Sequence, residues 1–385
     1  MTATSSPANP PPLPPPWRRA GPPPPKPASS EHGYLDGDRP VACSAEELVR
    51  RCGETDSRVF IVWTPEHPTL KTVFEVRMLF DAVRSRTRKS VMSGLRNAGL
   101  MTVLFGFLWW RMDRLSLYSI SFLLMIILGV LPVLQWLWQL FRLTRLTPEA
   151  MAGWVDSIRY EAWLREQRAP VTIALIVGLA AIFIGQFFVD ELVWPQLVAL
   201  DKEAVRNGDI VTLLTATMVH GGVVHMLFNG AALHYLGRPT ELLAGRWMLL
   251  LVLVISMLCG SLLSVWLVPV GASVGASGGI IGLLGFLVML GIRHRQVLPD
   301  DFARSMMANV VLIACVGIAG WKLIDNAGHL GGLVGGLICG ALLIPRGDAR
   351  LPIPTATPIR IAGWVALAYL VAAAALTVSK LALKW

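Results

Sequence analysis

Three short stretches of the sequence hold side chains that could do chemistry in apolar surroundings. Ser277 stands in a Gly-Ala-Ser-Gly-Gly stretch within a run that carries no charge from residue 262 to 291. Glycines there let another backbone approach the hydroxyl closely. His225 and Asn229 lie four residues apart in a second apolar run, so they share one helix face. His329 lies near the start of a third run.

Each of these residues also has a purely structural interpretation. A serine among glycines can be a packing residue with a capping role, and a buried histidine or asparagine can simply be hydrogen-bonded. Ionisable side chains are nevertheless expensive inside a membrane span and are candidates for function by default. Ser277 is also predicted at a helix N-terminus, where unpaired N–H groups and the helix dipole favour a developing anion.

The composition indicates a polytopic membrane protein. The chain has 385 residues, of which 54% are hydrophobic and 15% charged, with a mean hydropathy of +0.57, too apolar for an ordinary soluble enzyme. The net charge of +9 is explained by arginines that flank spans on the cytoplasmic side, so no nucleic-acid partner is needed. The five cysteines lack the spacing of metal ligands. We therefore expect no metal, no cofactor and a lipid bilayer as surroundings.

The apolar runs predict helices in the second half of the chain. Arginines follow the second, fourth and sixth of these helices, which places those ends on the cytoplasmic side. Ser277 and His329 then begin helices entered from the non-cytoplasmic side and could meet near that face. The predicted helices span residues 171–189, 210–236, 247–268, 277–292, 306–321, 326–345 and 361–379.

The N-terminal region is predicted to contain a tail and a small domain. Residues 1–30 are rich in proline and should be disordered or polyproline II. Residues 31–92 should form a small cytoplasmic domain. In it, Ser44 begins a capping box that opens a short helix, residues 58–63 read as a strand, and an amphipathic helix starts near residue 69.

The middle of the chain is predicted to hold a transmembrane hairpin over residues 93–141. Two apolar stretches, residues 97–110 and 115–141, would cross twice. Arg111 and Arg114 in the outer turn count against this, and one crossing preceded by an interfacial helix is the alternative. A cytoplasmic linker helix over 142–169, a core over 170–345, and a linker with a seventh core-flanking helix over 346–385 follow.

Taken together, the three stretches resemble the rhomboid family of intramembrane serine proteases, over roughly residues 170 to 345. The resemblance implies an all-α polytopic membrane protein with a rhomboid-like six-helix core. One C-terminal helix, an N-terminal helical hairpin and a small N-terminal cytoplasmic region would complete it. The resemblance also implies that Ser277 is the nucleophile and His329 the general base of a dyad. His225, Asn229 and the backbone N–H of Ser277 would line the oxyanion hole.

Further residues receive supporting roles from the same resemblance. Gly275 would let backbone lie close to the scissile carbonyl, and His220 and Glu241 would be structural. Gly332 and Gly336, in small-residue spacing, would let the histidine helix approach the serine helix. Asp325 precedes His329 by one helical turn, and we expect a helix-end or capping role for it. A triad would require His329 to turn back along its own helix.

The function expected is that of an intramembrane serine endopeptidase. It would hydrolyse peptide bonds in or near the transmembrane segments of single-span membrane proteins. A non-catalytic rhomboid-like binder or chaperone of membrane helices is the alternative, and it predicts loss of the serine or histidine. A transporter predicts internal repeats and ionisable residues on several pore-facing spans, which the sequence lacks. Size and the lack of a transit peptide fit a bacterial inner membrane, with the active site toward the non-cytoplasmic side.

The hairpin predicts that residues 30 and 155 lie on the same, cytoplasmic side of the membrane. Ser30→Cys and Val155→Cys, each placed in a background without the five native cysteines, should both resist an impermeant thiol reagent in intact cells and react after permeabilisation. Labelling of one position and not the other in intact cells would contradict the hairpin and favour the single crossing.

Overall fold

The computed structural model divides the chain into two compact units. It describes residues 14–18, 25–27, 31–37, 39–55, 60–346 and 350–383. One unit comprises residues 1–19, 164–310 and 325–385, and the other comprises 20–163 and 311–324. All of the candidate chemical residues lie in the first unit, so this unit contains the candidate site.

Helices make up most of the described chain. Short 3₁₀ turns lie at Pro16–Arg18, Val73–Glu75 and Arg77–Leu79, and a π-helical segment lies at Met125–Val130. The α-helices are α1 (Ala45–Glu54), α2 (Phe80–Arg111), α3 (Ile120–Leu124), α4 (Leu131–Thr144), α5 (Pro148–Ala152), α6 (Val155–Glu166), α7 (Pro170–Gln186), α8 (Trp194–Val198), α9 (Lys202–Arg206), α10 (Thr212–Thr215), α11 (Val223–Ala244), α12 (Arg246–Leu267), α13 (Ser277–Arg293), α14 (Phe302–Ala319), α15 (Asn326–Leu343) and α16 (Thr357–Ala382).

Several of these helices are long and apolar enough to cross a membrane. Among the described residues, six qualify by length and composition, and a seventh does if the bent pair of Pro148–Glu166 and Pro170–Gln186 counts as one span. Helix α13 is apolar but shorter. The protein is a multi-pass, mainly helical membrane protein, which confirms the predicted class. The six are Arg77–Arg111, Ile120–Thr144, Arg246–Leu267, Phe302–Ala319, Asn326–Leu343 and Thr357–Ala382.

The serine-bearing helix α13 and the histidine-bearing helix α15 are in contact at their backbones. A Cβ at Gly332 would overlap the carbonyl oxygen of Gly278, and a Cβ at Gly336 would overlap that of Gly282. Glycine is therefore required on this face by the space available. The adjoining face of α15 packs on α12, where Gly331 lies against the carbonyl of Cys259. The predicted close approach of the two helices is present.

The second core helix differs from the prediction of residues 210–236. Helix α11 begins at Val223, because Gly222 has a φ of +136°, a conformation that interrupts a helix and that glycine adopts readily. Helix α11 also continues through Pro239 to Ala244. Contacts with the segment just before α7 hold the C-terminal part of α11, since Arg238 donates to the carbonyls of Leu164 and Gln167. The remaining core helices lie within a few residues of their predicted bounds.

The N-terminal region contains an antiparallel sheet of order β2-β1-β3-β4. Its strands are β1 (His32–Asp36), β2 (Arg39–Cys43), β3 (Ile61–Trp63) and β4 (Lys71–Thr72); a separate pair is β5 (Leu200–Asp201) and β6 (Ala272–Ser273). Ser44 caps α1 by accepting from the Glu47 N–H at 3.2 Å, as predicted. The predicted strand is β3, with residues 58 and 59 outside the described residues. The predicted helix from residue 69 is wrong in its start, because β4 pairs with β3 there.

Two further boundaries differ from the sequence prediction. Trp17, inside the segment expected to be disordered, is buried, and Pro25 forms an isolated bridge to Thr69. Residues 1–13, 19–24 and 28–30 lie outside the described residues. Helix α2 runs from Phe80 to Arg111 without a break, across the boundary predicted at residue 92, since no proline interrupts it. The second helix of the hairpin packs on it, with Gly129 against the backbone of Thr102.

Gly336→Ala should destabilise the protein although alanine is the better helix former. The added methyl would overlap the Gly282 carbonyl, and overpacking of this kind costs about 1–3 kcal/mol. Gly99→Ala is the matched control, because a Cβ there meets no atom within 4 Å and should be neutral or stabilising by about 1 kcal/mol. SDS-induced unfolding in mixed micelles measures both. A Gly336→Ala protein as stable as the wild type would contradict backbone contact between α13 and α15.

Candidate functional site

The side chains of Ser277 and His329 are in hydrogen-bond contact. Ser277 is the first residue of α13, and His329 lies in the first turn of α15. Their Oγ and Nε2 atoms are 2.9 Å apart, within the range of a good hydrogen bond. The N–H groups of the first turn of α13 have no partner within the helix. A hydroxyl, an imidazole and free N–H donors therefore meet at one point.

The other ring nitrogen of His329 bears on whether the pair is part of a triad. When Nε2 accepts from the serine hydroxyl, the proton of the neutral ring is on Nδ1. This Nδ1 is buried and has no hydrogen-bond partner among the described residues. Asp325, the nearest carboxylate along the chain, bonds elsewhere. The arrangement within the described chain is a pair of residues and not a triad.

Asp325 joins three segments that surround the pair. One carboxylate oxygen accepts from the Gly328 N–H at 2.8 Å and so caps α15. The other accepts from the hydroxyls of Ser264 and Ser273, at 2.5 Å and 2.6 Å. It also lies 3.9 Å from Nζ of Lys202, whose side chain is 5% exposed. Asp325 thus has the capping role that was predicted and further contacts that the sequence did not indicate.

The charge of Asp325 is stabilised by these partners. Burial would raise the pKa of its carboxyl, but the hydrogen bonds from Ser264, Ser273 and Gly328 and the charge of Lys202 together hold the pKa below its usual value. Burial lowers the pKa of the Lys202 ammonium, and Asp325 acts in the opposite direction. The two groups form a largely buried ion pair beside the N-terminal end of α15.

Gly275 lies against the predicted oxyanion residues. Its φ is +115°, and a Cβ there would lie 2.8 Å from Cε1 of His225 and 3.6 Å from Nδ2 of Asn229. Both backbone conformation and space therefore require glycine. His225 accepts at Nδ1 from the Gly221 N–H at 3.3 Å, so its proton belongs on Nε2, the atom nearer Gly275. Asn229 donates to the His225 carbonyl at 3.2 Å, which leaves one amide hydrogen free.

His220 lies beside this group and is held through its backbone. Gln186 accepts from the His220 N–H at 3.0 Å and donates to the His220 carbonyl at 3.1 Å. The His220 ring is buried, with its centroid 5.2 Å from that of His225. Sequence reasoning missed Gln186, although a lone amide in the otherwise apolar α7 was an available signal. Ser264, Ser273 and Lys202 were missed because each has its partner far along the chain.

Glu241 lies away from the site. Its carboxylate accepts from the backbone N–H groups of Val171 and Thr172, at 3.0 Å and 2.8 Å, and from the Thr172 hydroxyl at 2.7 Å. It therefore caps the first turn of α7 from another helix. These contacts suit the structural role expected of it. Gly332 and Gly336 lie along the interface of α13 with α15, below the pair.

The space at the pair is small. A cavity of about 40 Å³ lies between Ser277, His329, Gly275 and Asp325, enough for groups the size of water and too small for a peptide. The described residues contain no cluster of three or more His, Cys, Asp or Glu side chains that could hold a metal. The chemistry that these groups can perform is acyl transfer through an activated serine.

Comparison with known proteins gives a consistent result. Residues 207–346 match the family model "Rhomboid domain". "Rhomboid protease GluP" of Bacillus subtilis is 33% identical over 155 residues, which covers 39% of this chain and 30% of that protein. "RHOMBOID-like protein 7" of Arabidopsis thaliana is 28% identical over 174 residues (42% and 56%). "Rhomboid-like protease 5" of Toxoplasma gondii is 33% identical over 154 residues (38% and 18%).

The similarity of this chain to the rhomboid family lies within this domain. The match spans less than two thirds of each of the three relatives, and the first 206 residues of this chain lie outside the family model. The domain contains His220, His225, Asn229, Ser277 and His329. Two of these relatives are named as proteases.

Asp325→Ala should destabilise the protein by about 2–3 kcal/mol. The change removes a helix cap, worth about 1 kcal/mol, and leaves two hydroxyls and a buried ammonium without their partner. Asp325→Asn keeps a cap acceptor and should cost about 1 kcal/mol, measured as before by SDS-induced unfolding.

The pH dependence of the stability isolates the contribution of the negative charge on Asp325. Because the folded pKa is below the ordinary value of 3.8, the carboxylate stabilises the fold above that pH and less as pH falls through the folded pKa. The difference between wild type and Asp325→Asn should therefore shrink below about pH 4. Equal stability of wild type and Asp325→Ala at pH 7 would contradict a stabilising role for the hydrogen bonds and the ion pair of Asp325.

Proposed function

We propose that this protein is an intramembrane serine endopeptidase that uses Ser277 and His329 as a catalytic dyad. The observation that carries the proposal is the 2.9 Å contact between Ser277 Oγ and His329 Nε2, in a chain whose rhomboid domain contains both residues. A serine hydroxyl is a weak nucleophile at its own pKa and requires an adjacent base. The pair provides both groups within apolar surroundings.

In the first step, Ser277 Oγ attacks the carbonyl carbon of the scissile peptide bond. His329 Nε2 takes the hydroxyl proton as the new C–O bond forms. The imidazolium then returns this proton to the leaving amine, the C–N bond breaks, and an acyl-enzyme remains on Ser277. Water attacks the ester in the second step, with His329 acting again as base and then as acid. The acid is released and the serine is regenerated.

The oxyanion formed in each step needs donors aimed at it. The backbone N–H of Ser277, the second amide hydrogen of Asn229 and the Nε2–H of His225 would supply them. Gly275 would let the substrate carbonyl come close, because a side chain there would occupy the space beside His225. The first turns of α11, α13 and α15 also contribute positive dipole ends at the place where negative charge develops.

The proposed substrates are single-span membrane proteins cut in or near their transmembrane segments. A substrate helix must open locally before its carbonyl can reach Ser277, so residues with low helix propensity near the cut are expected. The arginine pattern supports an active site that faces the non-cytoplasmic side. We propose a bacterial inner membrane as the location, although related proteins also occur in a plant.

Ser277→Ala and His329→Ala should each abolish cleavage, with rates lowered by about 10⁴-fold or more. The first change removes the attacking oxygen and the second removes its base. The measurement is fragment formation from a panel of single-span substrates with the purified full chain in lipid vesicles. Ser379→Ala and His234→Ala, both exposed positions outside the site, are the matched controls and should retain the wild-type rate.

Asn229→Ala should lower the cleavage rate by about 10²–10³-fold, the usual effect of losing one oxyanion donor. It should leave some activity. A Ser277→Ala protein that cleaves at the wild-type rate would refute the dyad. A wild-type protein that captures these substrates and cleaves none would favour the alternative, a non-catalytic binder of membrane helices.

A further inference from the structure

A large cavity separate from the serine site lies between α7, α12 and α16. Its volume is about 600 Å³, within the range of about 300–1,000 Å³ typical of ligand sites. The side chains that line it are apolar except for one, Arg246, the first residue of α12. The cavity therefore combines a long apolar wall with a single cation.

The cavity has the length of one bilayer leaflet. It extends along α12 from Arg246 to Met257, about 16 Å at the rise of an α-helix. One leaflet contributes about 15 Å, half of the hydrocarbon core. The length and the apolar lining of the cavity suit a fatty acyl chain.

Arg246 and two tryptophans lie together at one end of the cavity. The Arg246 guanidinium lies 5.0 Å from the ring centroid of Trp247, and the rings of Trp247 and Trp364 are 4.6 Å apart. Tryptophan is enriched at the level of the lipid headgroups. Within the described part of the chain, no carboxylate forms an ion pair with Arg246. A cation at the headgroup level therefore lacks an anion.

We propose that this cavity is a binding site for one anionic phospholipid, whose acyl chain lies between α7, α12 and α16 and whose phosphate lies at Arg246. The guanidinium matches a phosphate in charge and geometry, and the apolar wall matches the chain. The inner end of the cavity is lined by Ala276, the residue before Ser277, so the bound chain supports the backbone that presents the serine. This binding does not depend on proteolysis.

Two substitutions on α7 test the position of the acyl chain. Gly178 lines the cavity, and a Cβ there meets no atom within 4 Å, so Gly178→Leu places its side chain in the empty space. Gly185→Leu is the matched control, because Gly185 is on the same helix, also meets no atom, and lies outside the cavity. Ala374→Leu, on α16, fills the cavity from the other side and is the second variant should Gly178→Leu fail to fold.

The measurement is native mass spectrometry of the full chain in detergent, titrated with dioleoyl-phosphatidylglycerol or dioleoyl-phosphatidylcholine. The wild type should bind one phosphatidylglycerol about fivefold more tightly than phosphatidylcholine, the contribution of one cation near a lipid headgroup. Gly178→Leu and Ala374→Leu should lose this first lipid, and Gly185→Leu should keep it.

Arg246→Gln should remove the headgroup preference, Arg246→Lys should retain most of it, and Arg360→Gln, at the start of α16 but outside the cavity, should behave as wild type. Equal affinity of the wild type for the two lipids would overturn the proposal, as would full retention of the first lipid by both folded cavity-filling variants.

Discussion

The site depends on the backbone contact between α13 and α15. Ser277 is the first residue of α13 and His329 lies in the first turn of α15, so the distance between the helices sets the distance between the side chains. Gly332 and Gly336 allow contact at the level of carbonyl oxygens, closer than any residue with a Cβ would permit. Without hydrophobic driving force between helices in lipid, this packing is a main source of their association.

The polar groups near this contact are satisfied by partners from distant parts of the chain. Asp325 connects the start of α15 to α12 and to the segment before Ser277, and Gln186 on α7 holds the backbone of His220. Such bonds are costly to leave unmade in apolar surroundings. They fix the segments that carry His225 and Gly275 and leave the buried Nδ1 of His329 without a partner among the described residues.

The sequence predicted the helices and the Ser277–His329 pair better than it predicted the hydrogen bonds of Asp325 and Gln186. The small-residue spacing around Gly332 and Gly336 indicated a close helix contact, and the resemblance to the rhomboid family indicated that the serine-bearing helix is the partner. The predicted start of α11 was wrong because the φ of Gly222, which interrupts the helix, depends on tertiary context. Lys202 and Gln186 were missed because each partner is remote in sequence. The N-terminal sheet was predicted only in part, since its short strands pair across segments with weak alternation.

Covalent labelling of the serine tests the central claim most directly. A fluorophosphonate reacts with a serine whose hydroxyl is activated by a base, so peptide mass spectrometry of the labelled wild-type protein in lipid should find the adduct on Ser277. The same peptide of a His329→Ala protein should be unlabelled, although its serine is intact. Labelling of Ser277 at equal extent without His329, or no labelling of the wild type in any lipid, would contradict the dyad.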